Sequence, residues 1–200
     1  MKPTEVLLAL SLLFSIACAG DLDDELGGDV VEEPQEGEVG PHTRNEPRDG
    51  GGQLTTIDAT DEMDWVYFDL ETGVELDVED PVANTEWDLA FRRFHIATNG
   101  GVSGDAGSEV AVLSEAFDAV DETPADGFVV DEPDGDDDNE DPDYAFADWY
   151  DYNFMTHVLT PKAQTYVVIT GAGNAFKVAL DHYYDDAGTS GHPRFAWAAL

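Results

Sequence analysis

The 200 residues carry 45 Asp and Glu against 8 Lys and Arg, a formal net charge of -37 at pH 7. Such a chain lacks the basic face that counterion release needs, which excludes nucleic acid and anionic lipid surfaces as partners. The charge suits solubility, high-salt surroundings or divalent cations, and the 42% hydrophobic and 10% aromatic content supports one domain with its own core.

Met1 and Lys2 give a short positive start, followed by an apolar stretch from Val6 to Ala17 broken only by Ser11 and Ser15. A membrane-spanning helix needs roughly 20 apolar residues, so this run reads as a signal-peptide core, residues 1–17. It ends in Ser15-Ile16-Ala17-Cys18, which resembles the lipobox of bacterial lipoproteins, where the cysteine is diacylated and becomes the mature N-terminus. Two acyl chains suffice for stable anchoring. Cys18 is the sole cysteine, so the exported domain has no disulfide to draw on.

Residues 18–53 are rich in Asp, Glu, Gly and Pro, contain no aromatic residue, and read as a disordered acidic linker on the lipid anchor. The domain is then expected over 54–200. Trp65 to Leu70 and Val74 to Val78, separated by Gly73, read as a hairpin. In Trp87-Asp88-Leu89-Ala90-Phe91 the spacing puts Trp87, Leu89 and Phe91 on one strand face. Asn99-Gly100-Gly101 and Gly104 mark tight turns. Val110 to Leu113 is a short apolar run, with a helical turn or two as the alternative over Glu109 to Val120. Thr165 to Thr170 is a strong strand, Gly171 to Asn174 a hairpin loop, Ala175 to Tyr184 the return, and Arg194 to Trp197 a closing strand. Many short strands with frequent turns indicate an all-β chain, a single two-sheet β-sandwich-like domain.

The stretch from Thr85 through Trp87-Asp88-Leu89-Ala90-Phe91 to Thr98-Asn99-Gly100-Gly101 and Ser103-Gly104 resembles the HmuY family. Trp149-Tyr150-Asp151-Tyr152, Thr156-His157-Val158-Leu159, Tyr166, Lys177-Val178 and Tyr183 to Gly188 agree in order. The resemblance covers roughly Leu54 to Leu200. It implies an HmuY-type all-β lipoprotein at the outer membrane or cell surface. The best-known members are haemophores that serve iron acquisition, binding haem for a TonB-dependent outer-membrane receptor, with two histidines or methionines on the iron. The first ligand-bearing loop of those members falls on the acidic run Asp131 to Asp143, which contains no histidine. The second falls near Asn153-Phe154-Met155, close to His157.

Haem needs imidazole or thioether axial ligands, an apolar slot and cations for its propionates. The ligand candidates are His157, Met155, His182 and His95, with His192, in a Gly-His-Pro turn, as a further second-ligand option. The plain alternative makes His157 a polar residue at a strand start and Met155 a core filler. Arg92, Arg93, Lys162 and Lys177 are the propionate-contact candidates. A different reading makes the chain a surface structural or interaction lipoprotein. In that reading Asp134, Asp136, Asp138 and Glu140, at every second residue, bind Ca²⁺ weakly or only keep the acidic loop solvated. No Gly-x-Ser-x-Gly, His-Glu-x-x-His or phosphate-loop motif occurs, so no enzyme is expected.

Overall fold

Period-two burial runs through Ala175–Tyr184, where Phe176, Val178 and Leu180 are buried and their neighbours are not; this is how a strand lays one face on a core. The computed structural model describes residues 35–135 and 141–200. The signal segment, Cys18 and the first part of the expected linker therefore lie outside the described residues, as do Asp136, Asp138 and Glu140.

The chain is all-β, and the one helical element among the described residues is a 3-10 turn at Phe117–Ala119. A seven-stranded antiparallel sheet is ordered β1 (Gly37–Glu38), β2 (Thr43–Pro47), β3 (Gln53–Ile57), β13 (Ser190–Ala199), β12 (Ala175–Tyr184), β11 (Thr165–Ile169) and β8 (Glu109–Leu113). A four-stranded sheet runs β5 (Val74–Leu76), β4 (Val66–Asp69), β6 (Leu89–Arg92), β7 (His95–Thr98). A separate hairpin pairs β9 (Tyr150–Asn153) with β10 (Val158–Pro161).

The two larger sheets enclose one core. Phe91 stacks on Phe195 at 5.2 Å between ring centroids, and Phe68 meets Phe195 and Trp197 edge-on at 5.7 Å each. Burying each such ring contributes roughly 1.5–3 kcal/mol. The expected sandwich is thus present, built without a disulfide.

Three expectations need correction. The folded region begins before Leu54, because β2 pairs with β3 from Thr43↔Ile57 to Pro47↔Gln53. Two polar side chains on β2, Thr43 and Asn45, are buried at 1% exposure. Composition made this stretch look like linker because its inward positions are polar rather than apolar. Trp87 does not share a face with Leu89 and Phe91: the strand starts only at Leu89, and Trp87 packs in a second cluster with Ala90 and Ala97. The apolar run at Val110 to Leu113 is strand as first read, paired along β11, and the helical turn of the alternative comes only after it, at Phe117–Ala119. His192 lies within β13 rather than in a turn.

The Thr98-Asn99-Gly100-Gly101 signature is structural. Asn99 is fully buried; its Nδ2 donates to the Asn84 and Trp87 carbonyls at 2.8 Å each, and its Oδ1 accepts from Ala106 N at 3.2 Å. Gly101 has φ +63, and a Cβ there would sit 1.9 Å from the Asp131 carbonyl oxygen. Only glycine lets the two segments approach so closely.

Candidate ligand-binding site

Hairpin β9–β10 carries the two foremost ligand candidates. Its turn is fixed by Asn153, whose Oδ1 accepts the Met155 and Thr156 amides at 2.9 and 3.2 Å and whose carbonyl accepts the His157 amide at 2.7 Å. That geometry holds His157 at φ +56, a left-handed conformation rare outside glycine. Phe154 and Met155 are thrown outward at 82% and 90% exposure. Met155 is therefore not a core filler. Tyr152, at 41% exposure, reaches back so that its hydroxyl meets His157 Nδ1 at 2.5 Å.

A line of rings joins this turn to His95. Tyr150 and Tyr152 are two residues apart on β9 and so share a face. Tyr150 meets Phe94 edge-on at 6.1 Å, Phe94 lies 4.2 Å from the His95 ring, and His95 is 5.6 Å from Tyr144. The Trp149 indole N–H donates to the Phe94 carbonyl at 2.8 Å, which locks the hairpin base to the β6–β7 turn. A recess of about 170 Å³ lies here, lined by His95, Phe94, Tyr150, Tyr144 and Asp141. Burial pushes the His95 imidazole pKa down, opposed by Asp141 and reinforced by Arg92. The ring is thus kept in its neutral form, the form that can ligate a metal.

The remaining candidates are dispersed. His182 sits on β12 with its Nδ1 3.0 Å from Asp181 and 3.3 Å from Arg194 Nη2. Arg92 bonds Asp141 at 2.9 Å and lies 4.7 Å over the Trp65 ring. Arg93 holds the Thr60 carbonyl and Ser190 Oγ. Lys162 pairs with Asp148, and Lys177 donates to the Phe117 and Val120 carbonyls beside the 3-10 turn. Arg92 alone of the four stands next to a candidate histidine, through their shared partner Asp141. Of the proposed Ca²⁺ set, Asp134 is the one described member. Among the described residues no three His, Cys, Asp or Glu side chains are grouped closely enough to hold a metal ion.

Sequence reasoning missed Tyr144 and Asp141 as members of the site. Both sit at the end of the acidic run, and only the pairing of Glu132 with Asp143 brings them against β7. His42, outside the histidine candidates, and Met63 line a larger cleft of about 820 Å³ with Trp65 and Tyr67. No signal in a glycine- and acid-rich stretch marks such a histidine.

The residues present fit the axial chemistry of haem: one thioether and one imidazole on an exposed aromatic turn, and a neutral imidazole beyond it. The recess beside His95 is smaller than the roughly 300–1,000 Å³ of ordinary ligand pockets. A porphyrin would therefore lie largely over the hairpin rather than inside the domain.

A search of curated proteins finds no match. The apo HmuY analog of Tannerella forsythia has a similar fold, with TM-score 0.60 and 19% identity over 80% of this chain and 97% of that one. A Bacteroides vulgatus protein proposed as HmuY-like and heme-binding gives 0.52 and 21% over 82% and 97%. A proposed lipoprotein of Bacteroides fragilis gives 0.53 and 22% over 73% and 89%. These likenesses show a shared fold, and the HmuY family model matches residues 61–197, the span from the start of the small sheet to the closing strand. With that match covering most of the sequence and the signature accounted for in the turns it builds, the chain belongs to the HmuY family.

Proposed function

We propose that the chain is an exported, lipid-anchored surface protein that binds haem without catalysing a reaction, using hairpin β9–β10. The observation that carries this reading is the turn itself, which exposes Met155 and His157 side by side and engages His157 Nδ1 with the Tyr152 hydroxyl. Metal-binding histidines commonly use one ring nitrogen for a hydrogen bond that orients the other. With Nδ1–H donating to the phenol oxygen, Nε2 carries the lone pair outward. Met155 is the alternative axial donor, and His95 the candidate on the domain side. Bound haem supplies an iron centre that accepts such a donor. Phe154, Tyr152 and Tyr150 would offer ring faces to the macrocycle, and Arg92, now paired with Asp141, would be the cation nearest a propionate.

Cys18 bears the lipid in this reading, and a TonB-dependent receptor is the partner that takes the cargo. Among the described residues no helix is long and apolar enough to cross a membrane, which is consistent with attachment through the lipid alone. The test is a haemin titration of the full chain, followed by absorbance, beside His157→Ala and Met155→Ala. A saturable Soret shift that either variant weakens or alters supports haem capture by the hairpin. No saturable shift in either oxidation state sinks it.

A further inference from the structure

A second apolar cluster lies on the four-stranded sheet apart from the main core, and its centre is built of small residues. Ala90 and Ala97 face each other across β6 and β7 and are buried at 1% and 4% exposure. Four aromatic residues stand around them. Trp65 and Tyr144 meet edge-to-face at 5.9 Å, and Tyr67 and Trp87 at 5.2 Å. Trp87 is pinned by its indole N–H, which donates to the Pro81 carbonyl at 2.9 Å. The four rings and two alanines line a recess of about 170 Å³. It opens beside the cleft of about 820 Å³, which shares Trp65 and Tyr67 and is edged by Asp64, Glu75, Asp77 and Glu79.

Ring faces carry negative potential and attract cations, most strongly where water is excluded. The structure already uses this, since the Arg92 guanidinium, its charge matched by Asp141, rests 4.7 Å over Trp65. A primary ammonium in the recess would need acceptors for three N–H groups at once, and apart from the Ser103 hydroxyl and the two tyrosine hydroxyls the lining is rings, prolines, a valine and alanine methyls. A quaternary ammonium has no N–H to satisfy, and its methyl groups suit an apolar floor. The recess is too small for a drug-sized ligand but suits a head group whose remainder lies in the acid-edged cleft.

We propose that Trp65, Tyr67, Trp87 and Tyr144 form an aromatic cage, floored by Ala90 and Ala97, that binds a small free quaternary ammonium compound. The four carboxylates of the adjoining cleft draw in the cation. They also disfavour the same head group when it carries a phosphate, as in a phosphocholine lipid. The cage uses no residue of hairpin β9–β10, although Tyr144 also lines the recess beside His95; variants confined to the hairpin therefore separate the two readings.

The test is a choline titration of the full chain followed by tryptophan fluorescence. Alongside it run phosphocholine and the neutral isostere of choline, in which a tert-butyl group replaces trimethylammonium. Choline should shift the emission saturably, and both comparison compounds should bind roughly tenfold more weakly or worse. Ala97→Leu, which fills the floor, and Trp65→Ala, which removes a half-exposed wall, should each weaken choline by about tenfold. Tyr67→Phe keeps the ring and should retain binding, and His157→Ala should leave it unchanged. Thermal unfolding of each variant separates loss of the cage from loss of the fold. An absent choline shift overturns the cage, as does equal binding of the neutral isostere. Phosphocholine binding as tight as choline overturns the free-cation assignment.

Discussion

Thr55 Oγ1 donates to Asn45 Oδ1 at 2.7 Å inside the protein, and this bond is the middle of a buried relay. The Trp197 indole donates to Thr55 Oγ1 at 2.7 Å, and Asn45 Nδ2 donates on to the Gly73 carbonyl at 2.7 Å. The relay therefore runs from the closing strand through β3 and β2 to the β4–β5 turn, joining the two sheets. Asn45→Ala leaves the Gly73 carbonyl without that donor in a buried setting. The expected loss is about 2–4 kcal/mol, read as a lower denaturation midpoint with an unchanged slope. A chain beginning at Leu54 lacks β2 altogether and should show no cooperative transition at all.

Asn99 holds three segments at once: the loop before β6, the strand end of β7 and the turn at Ala106. Asn99→Asp keeps the acceptor and loses both donated bonds, and it also introduces a buried charge beside two carbonyl oxygens. It should be destabilising by more than about 3 kcal/mol. Asn99→Ala should cost less, because it adds no charge. A reversed order of the two variants in thermal unfolding would count against this account.

The strands were legible where apolar side chains alternate with others, as in β12 and β13, where they run unbroken, as in β11, and where a glycine turn separates two runs, as in β4 and β5. They were illegible where the inward positions are polar. Thr43 and Asn45 look like linker until their partners on β3 and at Gly73 are known. Trp87 misled because period two holds only within a strand, and the chain bends before Leu89. For the site, the hairpin residues Met155 and His157 were readable from their chemistry and order. Tyr144 and Asp141 were not, because a register between distant segments places them. The aromatic cage was hidden for the same reason: its walls come from three separated stretches of chain, Trp65 with Tyr67, Trp87 and Tyr144.

The Tyr152–His157 contact gives the haem reading a finer test. If Tyr152 orients the imidazole for the iron, Tyr152→Phe keeps the ring but frees His157 to rotate. The haem dissociation constant should rise by about tenfold or more, and the axial-ligand absorbance bands should change, while the melting temperature stays within about 2 °C. Identical spectra and affinity in wild type and Tyr152→Phe would remove His157 as an oriented ligand and leave Met155 as the donor on the hairpin.

Asp88 governs the pH dependence of stability. It is 3% exposed, accepts the Leu70 amide at 2.8 Å, and lies near Asp69 and Glu71. Burial, with the neighbouring Asp69 and Glu71 charges adding to it and the Leu70 amide opposing, pushes its pKa up to about 8. In the unfolded chain the same carboxyl titrates near about 3.9. Below that value both states are protonated and no penalty arises. As pH rises the unfolded state ionises while the folded state stays neutral, so stability falls by as much as about 1.4 kcal/mol per pH unit until pH reaches the folded value. The many exposed carboxylates finish titrating by about pH 6, and what His95 and the buried Asp131 contribute is common to wild type and variant, so the difference between the two from pH 6 to 8 reports Asp88. Asp88→Asn mimics the neutral carboxyl and can still accept from Leu70. Its melting temperature should fall less across that range and exceed the wild type by the widest margin near pH 8. Parallel curves for the two proteins from pH 6 to 8 would show that Asp88 is already ionised in the folded state.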